Sequence, residues 1–482
     1  MKKYTNVLIL LVATCIATSA CSSNEEMEKN IVDTTAPNVA STLPANEAVG
    51  IDNVDSIVIT YDDAIFLPPE TTIKINNDYV DSLAYAKDNK LIIKYQTTGN
   101  TNYTIRIYSP SVRDSLMNFA RDYEFNFSTR SYNNFDAALF KLDDAPVNPN
   151  ATAQTVKLYR FLKENFGKRT ISGAMADVSL NTKMAEKIHA MTGKYPAINT
   201  FDFIHHTHSA PLNPTTWIDY TNTSLVEDWW NHNGIVSFMW HWNVPINKLW
   251  AGDFDKYSFR VNSDTEPNTK FDAANATREG TWEKNITDRD LNIIADYLLS
   301  LQAKGIPVLW RPMHEGAGNI YNYDNGKAWF WWGNGGKTTQ DHAKAYRDLW
   351  IYMFNFFRNK GVNNLLWVWT SEGKDADFYP GDKYVDIIGC DYYEQETAHY
   401  HASLTEQWHE LLAISNKKIV ALTECGAIPS IDNTRQNGDL WSWFMPWYGN
   451  YTTDGIYNSA DFMTLLMDSQ HVITRDEMPS LK

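Results

Sequence analysis

The chain has 482 residues, which is enough for two or more domains with a large hydrophobic core. It carries 42 lysines and arginines against 58 aspartates and glutamates, so its net charge is −16. This acidic balance argues against nucleic acid and anionic membrane surfaces as partners, whereas a neutral polymer needs no charge attraction and stays compatible.

The N-terminal residues resemble a bacterial export signal. Met-Lys-Lys precedes a short apolar run from Val7 to Ala13, which is too short for a transmembrane helix. Small residues then lead to Cys21, as in the lipobox of bacterial lipoproteins. We therefore expect a signal peptide over residues 1–20, acylation of Cys21, and a polar tether over residues 21–35. The alternative is an ordinary signal peptide with a cysteine near the cut by chance.

Lipidation of Cys21 predicts where the protein resides. It would be anchored to the bacterial outer membrane, on the cell surface or on the periplasmic face. The lipid would be its only contact with a membrane, since the rest of the acidic chain has no affinity for an anionic surface.

Residues 36–130 have the pattern of an all-β domain. Short runs with apolar side chains at every second position are bounded by Asn, Asp, Gly or Pro. The predicted strands are Ser56–Tyr61, Thr72–Ile75, Leu91–Tyr95, Tyr103–Tyr108 and Tyr123–Phe127. They predict an immunoglobulin-like sandwich, similar to the bacterial Ig-like modules of secreted enzymes. All 18 tryptophans lie outside this region, which favours a spacer over a glycan-binding module.

Residues 135–482 alternate between strand-like and helix-like patterns. The predicted strands cover residues 170–174, 195–199, 234–241, 306–310, 365–369, 384–393, 418–424 and 440–445. Amphipathic patterns between them predict helices over residues 181–192, 288–304, 340–360 and 404–415. Eight alternations predict a (β/α)8 barrel, an α/β fold, preceded in the chain by the small sandwich.

Polar side chains follow the ends of the predicted barrel strands, which is the edge where such barrels carry their sites. Two apolar runs each lead to a glutamate, Glu315 after the fourth strand and Glu424 at the end of the seventh. Two carboxyl groups that meet across a cleft are what glycoside hydrolysis requires. The residues therefore predict an enzyme that cuts a polysaccharide.

Four motifs make this prediction more specific. They are Trp310-Arg311-Pro312-Met313-His314-Glu315, Trp329-Phe330-Trp331-Trp332-Gly333, Trp240-His241-Trp242-Asn243 and Gly389-Cys390-Asp391-Tyr392-Tyr393. Together with Glu424 they resemble glycoside hydrolase family 26, over about residues 135–482. The resemblance implies a retaining barrel enzyme with catalytic glutamates on strands 4 and 7. The commonest activity of that family is endo-β-1,4-mannanase, and some members instead cut mixed-linkage β-glucan or β-1,3-xylan.

By position, the resemblance implies that Glu315 is the general acid/base and Glu424 the nucleophile of a double displacement. Glu315 would need a raised pKa to stay protonated, while Glu424 must stay ionised. Arg311 and Tyr393, with Tyr392 as the alternative to Tyr393, would keep Glu424 charged. The two carboxyl groups should lie ~5–5.5 Å apart, and a separation near ~9 Å would exclude retention.

The resemblance also implies substrate contacts. His241 and His314 would line the −1 subsite, with a satisfied core histidine as the alternative for His241. Trp329 and Trp447 would stack on flanking sugars. For Asp391, the sequence supports a structural role and a functional role equally. Packing roles are expected for Trp331, Trp332, Trp367 and Trp369.

No cofactor and no metal are expected. The cluster His205-His206-x-His208 lacks a matching carboxylate motif, so we interpret these residues as loop histidines near the substrate groove. Cys390 and Cys425 are two buried thiols or one disulfide bridge. The expected partner is a β-mannan-type polysaccharide or oligosaccharide, bound by a monomer.

A competing hypothesis is a non-catalytic glycan-binding lipoprotein of the cell surface. It predicts the loss of one catalytic carboxylate, and both are present. Two long segments depart from the family pattern: Gly316–Ala328 is expected to reshape the positive subsites, and Trp250–Trp282 to wall off the negative ones. Tyr448 stands where some mannanases have an arginine. These differences concern sugar identity and chain length rather than reaction class.

Overall fold

The computed structural model describes residues 34–482 except 98, 100, 131–132, 178–179, 207–218, 249–256, 319, 322–327 and 394–400. The expected signal peptide, Cys21 and all but the end of the tether lie outside the described residues. The chain divides into two compact units, Met1–Arg130 and Ser131–Lys482. Within the described ranges, no helix has both the length and the apolar composition that a membrane span requires.

The N-terminal unit contains two β-sheets around a core of its own. The first sheet has the order β1 (Val39–Leu43), β3 (Ile57–Tyr61), β7 (Lys90–Ile93) and β6 (Ala84–Lys87), all antiparallel. The second has the order β2 (Ala48–Ile51), β9 (Tyr123–Thr129), β8 (Asn102–Ile107), β4 (Ile73–Ile75) and β5 (Asp78–Tyr79). The expected sandwich is confirmed.

The strands that the sequence did not predict in this unit, β1, β2, β5 and β6, are the edge strands of the two sheets. Central strands bury every second side chain, for example Ile57 and Ile59 of β3 and Ile73 and Ile75 of β4, so their period is visible in the sequence. The edge strands bury none of their side chains fully and therefore show no such period.

The C-terminal unit is a (β/α)8 barrel, as predicted. Its strands are β10 (Thr170–Met175), β11 (Ile198–Asp202), β12 (Ile235–Trp240), β15 (Val308–Pro312), β16 (Leu365–Ser371), β17 (Ile387–Tyr392), β18 (Ile419–Cys425) and β19 (Trp443–Phe444). They are parallel in the order β18-β17-β16-β15-β12-β11-β10-β19. Hydrogen bonds from Ser442 N–H to Val420 O (2.8 Å) and from Cys425 N–H to Met445 O (3.0 Å) close the ring.

Three short strands accompany the barrel. β13 (Val244–Pro245) and β14 (Tyr257–Ser258) pair with each other after the third barrel strand, and β20 (Val472–Ile473) pairs with β10. The helices are α1 (Ala153–Asn165), α2 (Lys183–Thr192), α3 (Ser224–Asn231), α4 (Trp282–Ala303), α5 (Thr339–Asn359), α6 (Thr405–Ile414), α7 (Ile431–Asn437), α8 (Asn450–Thr453) and α9 (Ala460–Asp468).

The four predicted helices are confirmed as α2, α4, α5 and α6, and one boundary differs clearly. Helix α4 begins at Trp282 rather than Asp288, because the Thr281 hydroxyl caps it by accepting a hydrogen bond from the Lys284 N–H at 3.1 Å. Its first turns bury charged side chains, including those of Glu283 and Lys284, so the apolar periodicity begins too late to mark the start.

Two predicted strands are displaced. The second barrel strand is Ile198–Asp202 instead of residues 195–199, since Pro196 forms only an isolated bridge to Thr474. The eighth strand is regular only at Trp443–Phe444 instead of residues 440–445. These displacements matter for function, because they change which residues stand at the strand ends.

Candidate active site

Glu424 is placed by the seventh barrel strand, β18, of which every residue is buried. The ladder between β17 and β18 contains a β-bulge: Cys390 is opposite Leu422, but Asp391 is opposite Glu424. The extra residue is Thr423, whose hydroxyl donates to Asp391 Oδ1 at 2.8 Å. Bulges of this kind redirect side chains at strand ends, and here the bulge sets two carboxylates side by side.

Glu315 lies in the turn after β15. Met313 and Glu315 both have left-handed backbone conformations, with φ of 48° and 51°. Such positions cost about 1–3 kcal/mol each for non-glycine residues and persist where the surroundings fix them. Here the Tyr346 hydroxyl donates to Met313 O at 2.9 Å, and the Trp332 indole donates to His314 O at 2.8 Å. The turn is therefore rigid, and it holds the Glu315 side chain at the mouth of the barrel.

The two glutamates meet as predicted. Glu315, Asp391 and Glu424 each have a carboxylate oxygen within 4.8 Å of the others, and all three are buried. Arg311 donates to Asp391 Oδ2 at 2.7 Å and to Glu424 Oε2 at 2.5 Å. The Tyr393 hydroxyl donates to Glu424 Oε1 at 2.5 Å. The structure thus gives Glu424 the two donors expected to keep it ionised, and the tyrosine that donates is Tyr393 rather than Tyr392.

The electrostatics separate the two glutamates. Burial, reinforced by the neighbouring Glu372, Glu424 and Asp391, raises the pKa of Glu315 well above its usual range. Burial also raises the pKa of Asp391 to about 7, although the Arg311 guanidinium beside it acts in the opposite direction. The Arg311 guanidinium contacts Asp391 and Glu424, and a cluster of this many carboxyl groups favours retention of protons by some of them. Glu315, whose pKa is raised well above its usual range, is suited to be the protonated one.

Two histidines lie next to this carboxylate cluster. His241 is fixed by Asp202, which accepts from its backbone N–H at 3.0 Å and pairs with its Nδ1 at 2.6 Å. Its ring lies 4.6 Å from that of His314. Burial lowers the pKa of His314 well below its usual range, so this imidazole stays neutral. His241 is thus anchored at the cleft by a carboxylate, and the core alternative does not describe it.

The cleft above these groups has a volume of about 510 Å³, within the range of ligand-binding cavities. It is lined by His241, Arg260, His314, Glu315, Trp329, Phe330, Glu372, Asp391, Tyr392, Tyr393, Glu424 and Trp447. All eight residues that the sequence placed in the site therefore reach it, either as lining or, for Arg311, through its contacts with Glu424. Trp329 and Trp447 are partly exposed, as stacking platforms must be.

Four residues that line or support the cleft were not expected from the sequence: Asp202, Arg260, Phe330 and Glu372. Asp202 was hidden because the second strand was placed too early in the chain. Arg260 belongs to the long segment Trp250–Trp282, of which residues 250–256 are not described; its Nε donates to Glu266 at 2.5 Å. This segment reaches the cleft through Arg260, while its role at the negative subsites stays a prediction. Glu372 follows directly after β16, and the general rule on strand ends would have found it.

The remaining sequence predictions concern packing. The four tryptophans assigned to packing, Trp331, Trp332, Trp367 and Trp369, are fully or almost fully buried, which confirms that assignment. Cys390 and Cys425 are buried free thiols, so they form no bridge. His206 stacks on Phe203 and Tyr220, and burial lowers its pKa to about 4. His208 lies outside the described residues.

A parallel barrel whose open cleft holds two such glutamates in unlike surroundings has the architecture of a glycoside hydrolase. Sequence comparison gives the same class and narrows it. Residues 147–477 match glycosyl hydrolase family 26, and residues 33–129 match a bacterial Ig-like domain. The chain belongs to glycosyl hydrolase family 26.

Several relatives within this family are named mannanases. Mannan endo-1,4-beta-mannosidase B of Piromyces sp is 33% identical over 350 residues, which is 70% of this chain and 54% of that one. The family 26 domain of an endo-beta-mannanase/endo-beta-glucanase from Prevotella bryantii is 37% identical, with a TM-score of 0.60 over 70% of this chain and 99% of that one. This chain spans about half the length of the curated relatives that it matches first.

A third relative was solved with a ligand. It is a beta-mannanase from a symbiotic protist of the termite Reticulitermes speratus, complexed with gluco-manno-oligosaccharide. It is 34% identical, with a TM-score of 0.61 over 71% of this chain and 99% of that one.

Proposed function

We propose that this chain is a retaining endo-β-1,4-mannanase. The observation that carries the proposal is the geometry of Glu315 and Glu424, whose carboxylate oxygens approach within 4.8 Å. Retaining enzymes need ~5–5.5 Å between the two groups, whereas inverting enzymes need ~6.5–9.5 Å to admit a water molecule between them. The short separation supports attack by a carboxylate rather than by water.

In the proposed mechanism, Glu424 attacks the anomeric carbon while Glu315 donates its proton to the oxygen of the leaving sugar. The glycosidic bond breaks, and a bond forms between the sugar and Glu424 Oε. Arg311 and Tyr393 keep the attacking carboxylate ionised and oriented through their hydrogen bonds to its two oxygens. Glu315, now ionised, then takes a proton from water, whose oxygen displaces Glu424 with a second inversion.

The substrate proposal rests on the relatives. Those named above act, by their names, on β-mannan, and one was solved with a gluco-manno-oligosaccharide. The cleft residues support a neutral polymer, because the neutral ring of His314 and the partly exposed indoles recognise hydroxyl groups and sugar faces without a net charge. Mixed-linkage β-glucan and β-1,3-xylan remain the alternative substrates. The two long inserted segments, which are expected to shape the positive and negative subsites, would decide which of these polysaccharides is bound.

The test is hydrolysis of a substrate panel by the purified full chain. Reducing ends are measured on mannan, glucomannan, galactomannan, lichenan and β-1,3-xylan, and we expect the first two to be cut fastest. NMR of the first product should show the β-anomer, and chromatography should show a range of oligosaccharides, as an endo-acting enzyme produces. Glu424→Ala and Glu315→Ala should each abolish turnover on mannan while circular dichroism shows that both variants remain folded.

Two results would reject the proposal. An initial α-anomer would exclude retention. Binding to mannan without any release of reducing ends would favour the glycan-binding alternative, in which the carboxylates serve only to hold the sugar.

We further propose that the protein is a lipoprotein of the bacterial outer membrane, anchored through Cys21. The support is the basic start, the short apolar run and the small residues before this cysteine. Radiolabelled palmitate should be incorporated in cells, and Cys21→Ser should abolish the label. Cys15→Ser, within the expected signal peptide, is the matched control and should keep it. Digestion of intact cells with protease would separate the cell surface from the periplasmic face.

A monomer is proposed as the active form. The described residues of one chain supply both glutamates, Arg311 and Tyr393, which are the groups that the proposed mechanism uses. Light scattering of the chain without its signal peptide should give the mass of a single copy across the concentrations of the assay. A protein that is active only at concentrations where it forms a dimer would contradict this proposal.

A further inference from the structure

A fourth carboxyl group faces the cleft, and the mechanism above gives it no role. Glu372 follows the last residue of β16 and lines the same cavity as Glu315, Asp391 and Glu424. Both carboxyl groups line this cavity, and that of Glu372 lies close enough to that of Glu315 for a hydrogen bond between them. Two carboxyl groups can form such a bond only while they hold at least one proton between them.

The position of Glu372 is built by its own loop. Its backbone N–H donates to Asp375 Oδ2 at 2.8 Å, and the Ser371 hydroxyl donates to Asp375 Oδ1 at 2.6 Å. Asp375 is buried, and through these two hydrogen bonds it fixes the first residues after the strand. Glu372 also borders a second cavity of about 220 Å³, which includes Glu410 but not Glu315. The side chain thus stands at the wall between the two cavities with its backbone fixed.

We propose that Glu372 is a positioning residue for Glu315: the bond between their carboxyl groups holds a proton on the pair and keeps the Glu315 oxygen directed at the cleft. This inference rests on Glu315 being the acid/base of the proposed hydrolysis. If so, the acid/base function of Glu315 depends on a second carboxyl group, that of Glu372. Before catalysis the pair shares a proton, and after Glu315 has protonated the leaving sugar, a protonated Glu372 can donate to the new carboxylate.

The charges around the pair support this role. The groups that face it are Glu424 and Asp391 from the neighbouring strands, Asp375 from its own loop, the guanidinium of Arg311, the hydroxyl of Tyr393 and the neutral ring of His314. The Arg311 guanidinium is already engaged by Asp391 and Glu424. Two further cations border the cavities, Arg260, which pairs with Glu266, and Lys374, which lines the second cavity beside Glu372. Burial raises the pKa of Glu372 to about 8, and the pKa of Glu315 is raised as well, so the pair holds a proton through the neutral range.

Replacement of Glu372 by glutamine should weaken the hold of Glu315 on its proton. The amide of Glu372→Gln donates an N–H to Glu315 and removes a like charge, and both changes favour the ionised form of Glu315. The alkaline limb of kcat/KM should therefore move to lower pH by about one unit, and at pH 8 the rate on mannan should fall about tenfold. Glu410→Gln, which alters the neighbouring cavity only, should leave the profile unchanged.

A substrate with an activated leaving group isolates the effect. Dinitrophenyl β-mannobioside needs no proton from Glu315 in the first step, so Glu372→Gln should form the glycosyl-enzyme within about threefold of the parent rate. If the glutamine protein does not fold, Glu372→Ala serves instead, since it also removes the like charge and predicts a shift in the same direction.

The proposal is overturned if the alkaline limb of the variant coincides with that of the parent, or if both substrates lose rate equally, as a merely structural role would predict. Failure of the proposed function itself looks different: Glu315→Ala and Glu424→Ala would then retain activity on mannan, whatever the behaviour of Glu372→Gln.

Discussion

The guanidinium of Arg311 is the cation on which the carboxylate cluster depends, and Arg311→Met tests that dependence. The side chain is 3% exposed and contacts Asp391 and Glu424, which are 5% and 4% exposed. Methionine fills a similar volume without charge, so two buried carboxylates lose the guanidinium that pairs with both of them. Removing one partner of a buried pair costs about 3–5 kcal/mol, because the remaining charge is left without compensation.

This cost can be converted into a shift of the unfolding midpoint. The barrel unit has about 350 residues. With about 2.1 cal/mol/K of unfolding entropy per residue, the loss corresponds to a Tm lower by about 4–7 °C at pH 7. Activity should fall at least about a hundredfold, which corresponds to about 2.7 kcal/mol, since the nucleophile loses a charged donor in a site with little water.

The pH dependence gives the sharper test. The pKa of Asp391 is raised from 3.8 to about 7 in the folded protein, and it rises further without the guanidinium. A carboxyl group whose pKa is raised by folding binds its proton more tightly in the folded state. Its ionisation therefore removes stability as pH increases from about 4 to the pKa in the folded state. The parent shares this loss up to about pH 7, so the Tm deficit of Arg311→Met should be smallest near pH 4 and should grow most above pH 7.

The assay is thermal unfolding followed by circular dichroism at pH 4, 5.5, 7 and 8, with mannan hydrolysis measured in parallel. Lys344→Met is the control, because Lys344 and Asp348 form an exposed pair on α5 that is worth at most about 0.5 kcal/mol. A Tm deficit of Arg311→Met that is absent at pH 7, or that is the same at every pH, would refute the electrostatic account of the site.

Three further predictions concern other contacts of the cleft. Tyr393→Phe removes the donor to Glu424 Oε1 and should lower kcat on mannan about 10- to 100-fold with little change in Tm, whereas Tyr392→Phe should change kcat less than threefold. Arg260→Met should raise KM for long mannooligosaccharides more than for short ones, because this residue lines the cleft from the long inserted segment; equal effects on all lengths would contradict a subsite role. Gly318→Ala would place a methyl group 2.1 Å from the Trp329 ring and should raise KM about 3- to 10-fold by displacing it, whereas Gly280→Ala, with open space around its Cβ, should affect stability alone.

The left-handed turn around Glu315 shows how the fold supports the chemistry. The strained residues Met313 and Glu315 are held by groups from other parts of the barrel, the Tyr346 hydroxyl of α5 and the Trp332 indole. The tryptophan-rich run after the inserted segment thus has two tasks, since Trp329 lines the cleft while Trp332 supports the turn.

Much of the fold could be predicted from the sequence because the buried strands show their period directly. β16 and β18 are buried at every residue and appear as apolar runs, and the central strands of the sandwich alternate. The edge strands, and the second barrel strand with Pro196 before it, could not be placed well, since their residues are set by partners elsewhere in the chain rather than by local pattern.

The sequence by itself determined the chemistry that the barrel presents: two glutamates, an arginine, a tyrosine, histidines and indoles, each at or just after the end of a strand. Only the tertiary structure decided how their charges combine. The bulge at Thr423 puts Asp391 opposite Glu424, the turn at Glu315 brings it to the same cleft, and Glu372 arrives from a different strand. Hydrogen bonds and electrostatic coupling depend on distances of a few ångströms between segments far apart in the chain, and no local pattern of residues encodes those distances.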